Sequence, residues 1–362
     1  MTGILPSDTP NLDYIVRNTY TPKKDPGLLL GTNITTWEKD GLFKIDHVID
    51  RIHGYVNFIA ITPLYLFKDI MFRKINQDGP NTASLESMAH CVKKIREANP
   101  GIKIMLKPHI DAQEVNMKSP VMRWLKYSLD KKEIGVDAIR IIMPPWPWYH
   151  KVYFKEFLYP LADFAESLGI EHFCLGTELM NPSTDERMFR KGIAGLRQRY
   201  SGYLTYAAFT LAPEISNFWD DLDYMSINTY PRLTGDDSVE NIEKELSKVA
   251  DRYEKLADKY NTKIMIPEFG LSCMDGAIHN TGKYVRRYPP ETKIDMMEQR
   301  NYIEGFLKVF LRREWFQGCA LWAASPQDGC REEWMEKDFF WLHKPAEEVV
   351  REYYTKALGK SL

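Results

Sequence analysis

Eight short apolar runs, each bounded by turn residues, recur along this chain with amphipathic helical stretches between most of them. No other feature narrows the possible folds as far. The runs are Leu28–Thr35, Tyr55–Thr62, Lys103–Asp111, His172–Leu179, Tyr203–Phe209, Leu222–Tyr230, Lys263–Leu271 and Gly318–Ser325. Helical patterns cover Ser84–Asn99, Phe154–Leu168, Asp185–Tyr200, Val239–Tyr260, Ile294–Leu311 and Pro345–Leu358. In the first of these, Leu85, Met88, Ala89, Val92 and Ile95 form one stripe, and Pro100-Gly101 stops the helix. The last opens on a proline followed by Glu347 and Glu348, all favourable at a helix N-terminus. Eight strands alternating with helices predict an α/β chain folded as a single (β/α)8 TIM barrel. A doubly wound sheet would carry a glycine-rich phosphate turn after its first strand, and Leu30-Gly31-Thr32-Asn33 is not one.

No proline-, glycine- or serine-rich linker divides the 362 residues. The expected organisation is an N-terminal extension over 1–26 and one barrel over 27–362. Surplus length gathers in Ala112–Tyr153, Ser272–Lys293 and Pro326–Lys344. All three follow the C-terminal ends of strands, the face on which such barrels build active sites, and the segment after strand three is the longest.

Charge excludes some partners. The 48 Lys and Arg nearly balance the 50 Asp and Glu, so no electrostatic footprint for nucleic acid exists. No apolar run is long enough for a membrane span, and Met1–Pro26 lacks the apolar core of a signal peptide. Five scattered cysteines without a CxxC pair read as free thiols, and a cytoplasmic location is expected. The oligomeric state leaves no mark in the sequence. One figure stands out: 13% of residues are aromatic, with 9 Trp and 20 Tyr.

Two apolar strands end in an isolated glutamate, Glu178 in strand four and Glu268 in strand seven. A carboxylate buried at such a place is costly without a partner. Strands four and seven lie nearly opposite in an eight-stranded ring, so the two carboxylates can converge over its mouth, as glycoside hydrolysis requires. Position alone also fits two structural ion pairs. In strand six, alternation puts Asn228 and Tyr230 on one side, where a phenol either donates to a carboxylate or satisfies itself on backbone. In strand three, Lys107, His109 and Asp111 share a face suited to hydroxyl recognition. Trp322 in strand eight offers a flat face to a sugar ring. Trp37 after strand one, and Trp124, Trp146, Trp148 and Tyr149 in the long third loop, are further stacking candidates. His109-x-Asp111 has no companions for a metal site, and neither a GxSxG elbow nor a P-loop occurs, so no metal or cofactor is expected.

With these residues in view the sequence resembles glycoside hydrolase family 113 of clan A, the β-mannanases. The resemblance rests on Gly31-Thr-Asn33-Ile-Thr-Thr-Trp37, Met105-Leu-Lys107-Pro-His109-Ile-Asp111, Phe173-Cys-Leu-Gly-Thr-Glu178-Leu and Pro267-Glu268-Phe-Gly270. Leu204-Thr-Tyr206-Ala-Ala, Phe218-Trp-Asp220, Leu222-Asp-Tyr224 and Lys344-Pro-Ala-Glu347 add to it. It implies a retaining double displacement on a neutral β-1,4-linked mannan or manno-oligosaccharide. Glu178 would be the acid/base, Glu268 the nucleophile and Tyr230 its orienting phenol. Lys107, His109, Asn228, Trp322, Trp37 and Trp148 would contact substrate. Departures are Thr177 where most of the clan has Asn, the absence of a tryptophan in Ile61-Thr-Pro-Leu-Tyr65, and an extra segment near Ser119–Pro145. Another clan A β-glycosidase (an exo-acting β-mannosidase, β-glucosidase or β-galactosidase) is the alternative enzyme, and a non-catalytic carbohydrate-binding barrel the alternative class. Glu268→Ala is expected to abolish turnover with little loss of stability.

Overall fold

The computed structural model describes residues 21, 23, 25–67, 73–112, 149–327 and 333–360. Most of the expected extension, the insertion after strand three with Trp124, Trp146 and Trp148, and Cys330 lie outside the described residues.

Eight parallel strands close a ring: β1 (Leu29–Thr36), β2 (Phe58–Phe67), β4 (Lys103–Leu106), β6 (His172–Thr177), β7 (Tyr203–Ala208), β8 (Met225–Ile227), β9 (Ile264–Phe269) and β10 (Phe316–Ala324). β10 pairs with β1, and the hydrogen-bonded ladder has no free edge. Helices α1 (Asp46–Ile52), α2 (Leu85–Ala98), α3 (Tyr159–Ser167), α4 (Glu186–Arg197), α5 (Val239–Tyr260), α6 (Met296–Phe310), α7 (Glu333–Lys337) and α8 (Pro345–Ala357) follow in chain order. The chain is a (β/α)8 barrel, as the alternation predicts.

Several expected boundaries move, each for a local reason. The third run splits into β4 and β5 (His109–Ala112), because Pro108 between them has no N–H to give the ladder. The second strand runs on to Phe67, where Ile75–Asn76 (β3) pairs with it antiparallel. The sixth run shrinks to three residues. The backbone N–H of Asn228 turns to Ala208 O at 2.9 Å and that of Thr229 to Glu268 O at 2.8 Å.

The second helix shows why Pro160 matters. The predicted Phe154–Leu168 begins earlier, as a π-helical stretch over His150–Leu158 that passes into α3. Pro160 has no N–H for the carbonyl of Glu156 four residues back, and Gln77 Nε2 donates to that carbonyl instead, at 2.8 Å. Tyr149 immediately precedes this helix, buried and stacked on Tyr153 at 4.8 Å, so it is a core residue rather than a stacking platform.

Among the described residues the apolar side chains sort into two main cores and a small cluster of Ala323, Met335 and Phe340 beside Trp322. The larger lies between strands and helices, with Leu30, Ile59, Leu106, Phe173 and Phe306 among its members. The smaller fills the barrel with Leu29, Phe58, Ala60, Met105, Cys174, Ala207, Tyr224, Met265 and Ala320. Alternation then carries β1 from Leu29 past Gly31 to Asn33, and the third strand from Met105 to Lys107 and His109. The interior thus passes from apolar at its floor to polar at its mouth. Cys91, Cys174, Cys273 and Cys319 are free and buried. Among the described residues no helix is long and apolar enough to cross a membrane.

Candidate active site

Each glutamate is positioned by the strand that precedes it. Glu178 follows β6 directly, with a left-handed φ of 54°. For a residue with a side chain that conformation costs of order 1–3 kcal/mol. The turn is held from both sides: Glu178 N–H donates to Ala207 O, and Met180 N–H donates to Glu178 O, both at 2.8 Å. Asn228 Nδ2 donates to Glu178 Oε1 at 3.2 Å.

Glu268 lies within β9 and is 5% exposed. Its two oxygens have different neighbours. Oε1 receives the Lys107 ammonium and lies 2.9 Å from His109 Nε2. Oε2 meets the Tyr230 hydroxyl, which donates across a long 3.5 Å. Burial alone pushes this carboxyl up. The charges and hydrogen bonds of Lys107 and His109 outweigh it and hold Glu268 well below the usual carboxylate range. Tyr230 is displaced upward, by burial first and by the Glu268 charge second, so it keeps its proton and acts as a donor.

Lys107 is fully buried. Its ammonium is 2.9 Å from His109 Nε2 and 5.5 Å from the Trp322 ring. The His109 imidazole stacks on Trp322 with centroids 5.3 Å apart and planes within 6°. Lys107, His109 and Trp322 therefore form one block against Glu268. Removing one member of such a buried ion pair strands the other charge, at a cost of about 3–5 kcal/mol. The expectation that Glu268→Ala spares stability is revised accordingly, because it would leave the Lys107 ammonium without its counter-ion.

Of the residues singled out in the sequence, Glu178, Glu268, Tyr230, Asn228, Lys107, His109 and Trp322 come together at the carboxyl end of the barrel. Trp37 stands just beyond β1, 41% exposed, with its edge toward Phe340 at 6.4 Å. Trp148 is outside the described residues. The long loops after β9 and β10 wall the nucleophile's side, where Phe339 meets Tyr230 edge-on at 6.1 Å and Tyr284 at 6.2 Å.

Sequence reasoning gave no role to Asn33. It is fully buried, and its amide donates to Pro267 O at 2.8 Å and to Ala320 O and Leu321 O at 3.2 Å. Thr62 Oγ1 donates to its Oδ1 at 3.1 Å. Asn33 thereby fixes the backbone immediately before Glu268. Its signal in the sequence was an amide two residues after Gly31 in a strand otherwise fit for burial. Beside Glu178, Thr177 Oγ1 and Asn228 Oδ1 are buried and make no hydrogen bond among the described residues.

Two carboxylates served by separate donors across the mouth of a closed barrel are equipment for cleaving a glycosidic bond, and fold and site together define a glycoside hydrolase. The chain matches Glycoside Hydrolase Family 113 over residues 36–344 and belongs to that family. Among solved structures it is similar to a GH113 β-1,4-mannanase, with a TM-score of 0.72 and 20% identity over 91% of this chain and 99% of that one. The GH113 β-mannanase AaManA from Alicyclobacillus acidocaldarius, in complex with ManMIm, gives a TM-score of 0.72 and 20% identity over 92% and 99%. A family 5 mannosidase from Rhizomucor miehei gives 0.60 and 11% over 94% and 95%. No curated protein sequence matches the chain.

Proposed function

We propose that this enzyme hydrolyses β-1,4-linked mannan or manno-oligosaccharides by double displacement with retention of configuration. The observation that carries the reading is the pair of differently served carboxylates, Glu178 on the Asn228 amide and Glu268 on Lys107 and His109. A carboxyl held ionised by the Lys107 ammonium and the His109 ring is suited to be the nucleophile. In the first half, Glu268 bonds to the anomeric carbon as the glycosidic bond breaks, and Glu178 gives its proton to the departing oxygen. In the second, Glu178 takes a proton from water, the water oxygen bonds to the same carbon, and Glu268 leaves as carboxylate. Tyr230 steadies the nucleophile, while Trp322, Trp37 and Trp148 offer surfaces to sugar rings and Asn228 a contact to hydroxyls. The mannan assignment is supported by family membership and by the β-mannanases among the structural neighbours.

Proton NMR of mannohexaose digestion tests the reading. The β-anomer of the new reducing end appears first, together with a ladder of product sizes. First appearance of the α-anomer overturns retention. Release of one sugar at a time points to the exo-acting alternative, preferential cleavage of cello- or xylo-oligosaccharides overturns the mannan assignment, and binding without new reducing ends overturns catalysis.

A further inference from the structure

The donors on Glu268 divide the labour between its two oxygens. Oε1 is engaged by Lys107 and His109, whereas among the described residues Oε2 meets only the Tyr230 hydroxyl, at 3.5 Å. An oxygen whose lone pairs already serve two donors is the poorer nucleophile. Taking the double displacement proposed above as its basis, we infer that Oε2 forms the bond to the anomeric carbon, that Oε1 becomes the carbonyl oxygen of the glycosyl ester, and that Lys107 is a positioning residue that selectively speeds hydrolysis of that ester.

The asymmetry follows from where charge moves. During glycosylation the Oε2–C1 bond forms, the glycosidic C1–O bond breaks, and the leaving oxygen takes the Glu178 proton. Glu268 loses its negative charge in this step, and a fixed cation beside it opposes the loss. During deglycosylation water bonds to C1 and its proton passes to Glu178. The C1–Oε2 electron pair returns to the carboxylate, so charge rebuilds across both oxygens. A cation preorganised on Oε1 stabilises that step, as donors in an oxyanion hole do.

Burial makes the effect one-sided. Lys107 is fully buried and cannot turn to water when its counter-ion becomes an ester. Its other close neighbours are His109 Nε2 at 2.9 Å and the Trp322 ring at 5.5 Å, neither of them anionic. The ester state therefore strands a buried ammonium, and hydrolysis restores its partner. The glycosyl-enzyme is short-lived as a result, and its formation limits turnover.

Aryl β-mannobiosides of graded leaving-group acidity test this. In the wild type, kcat is expected to follow leaving-group acidity across the series, and rapid mixing with the dinitrophenyl substrate to show no burst. In Lys107→Gln, kcat for that substrate falls on the order of 10²-fold. KM falls with it, kcat/KM changes by less than about tenfold, and a burst equal to the active enzyme appears. Lys107→Arg restores kcat. Equal losses in kcat and kcat/KM without a burst overturn the inference. A purely structural role gives that result, since misfolding removes enzyme without changing the ratio of burst to steady state. Should Lys107→Gln not fold, the wild-type series decides, because a kcat indifferent to leaving group overturns the inference by itself. Failure of the underlying reading looks different: inverted product, or no glycosyl-peptide at Glu268 after trapping with a 2-fluoro-mannoside.

Discussion

Asn228 sits where the two halves of the site meet, one residue from the backbone link to Glu268 and in contact with Glu178. A hydrogen bond to a charged group is worth about 1.5–3 kcal/mol. Asn228→Ala is therefore expected to lower kcat on manno-oligosaccharides by roughly 10- to 100-fold. Aryl glycosides with good leaving groups need little proton donation, and their kcat/KM should fall far less. Steady-state kinetics on both substrate types checks this, and equal losses would remove Asn228 from the acid/base side. The glutamates and the Asn228–Tyr230 pair were legible because a charge ending an apolar strand, or a polar residue in register with it, shows in one dimension. The ion pair of Lys107 with Glu268 was not, since it spans 161 positions and exists only once the ring is closed. Lys107 was accordingly expected at a sugar, where the fold sets it against the nucleophile.

At the scale of strands and helices, close approach decides more than propensity. A Cβ on Gly31 would lie 1.6 Å from Phe58 O, on the neighbouring strand β2. Gly31→Ala must pry β1 from β2, at a cost of about 3 kcal/mol or more, lowering the thermal midpoint by roughly 4 °C or more. Gly54→Ala, with nothing within 4 Å of the added atom, is the control and should leave the midpoint nearly unchanged. Differential scanning calorimetry separates the two. The order of elements was readable because each run carries its own periodicity and turn residues. Their ends were less so. The brief β8 is set by Ala208 and Glu268 accepting the next N–H groups, and the π-helical stretch by Pro160 together with Gln77 some eighty residues away.

For the whole molecule, His172 sets a pH dependence of stability. It is fully buried among Tyr203, Phe58 and Tyr224, and burial holds it at about 3. The unfolded chain takes up a proton near pH 6.5 that the folded chain refuses until about 3, so stability present above pH 6.5 is lost as pH falls toward 3. His150 and His343 shift the same way but are more exposed. In denaturant unfolding between pH 6 and 4.5, His172 should contribute about 1 to 1.4 kcal/mol per pH unit to the slope, a contribution lost in His172→Gln. An unchanged slope in that variant would assign the effect elsewhere.

The Asn33 amide also says something about the order in which this enzyme comes into being. It bridges the first barrel strand to Pro267, Ala320 and Leu321 in the last two. A nascent chain on the ribosome already holds Lys107, Glu178, Asn228 and Glu268 when β10, which begins at Phe316, has still to be made. Until then β1 and β9 are open edges, a template for misassembly with a neighbouring chain. The active centre is assembled at one moment, when the final strand slots between the seventh and the first, and no translation intermediate should hold a partial activity.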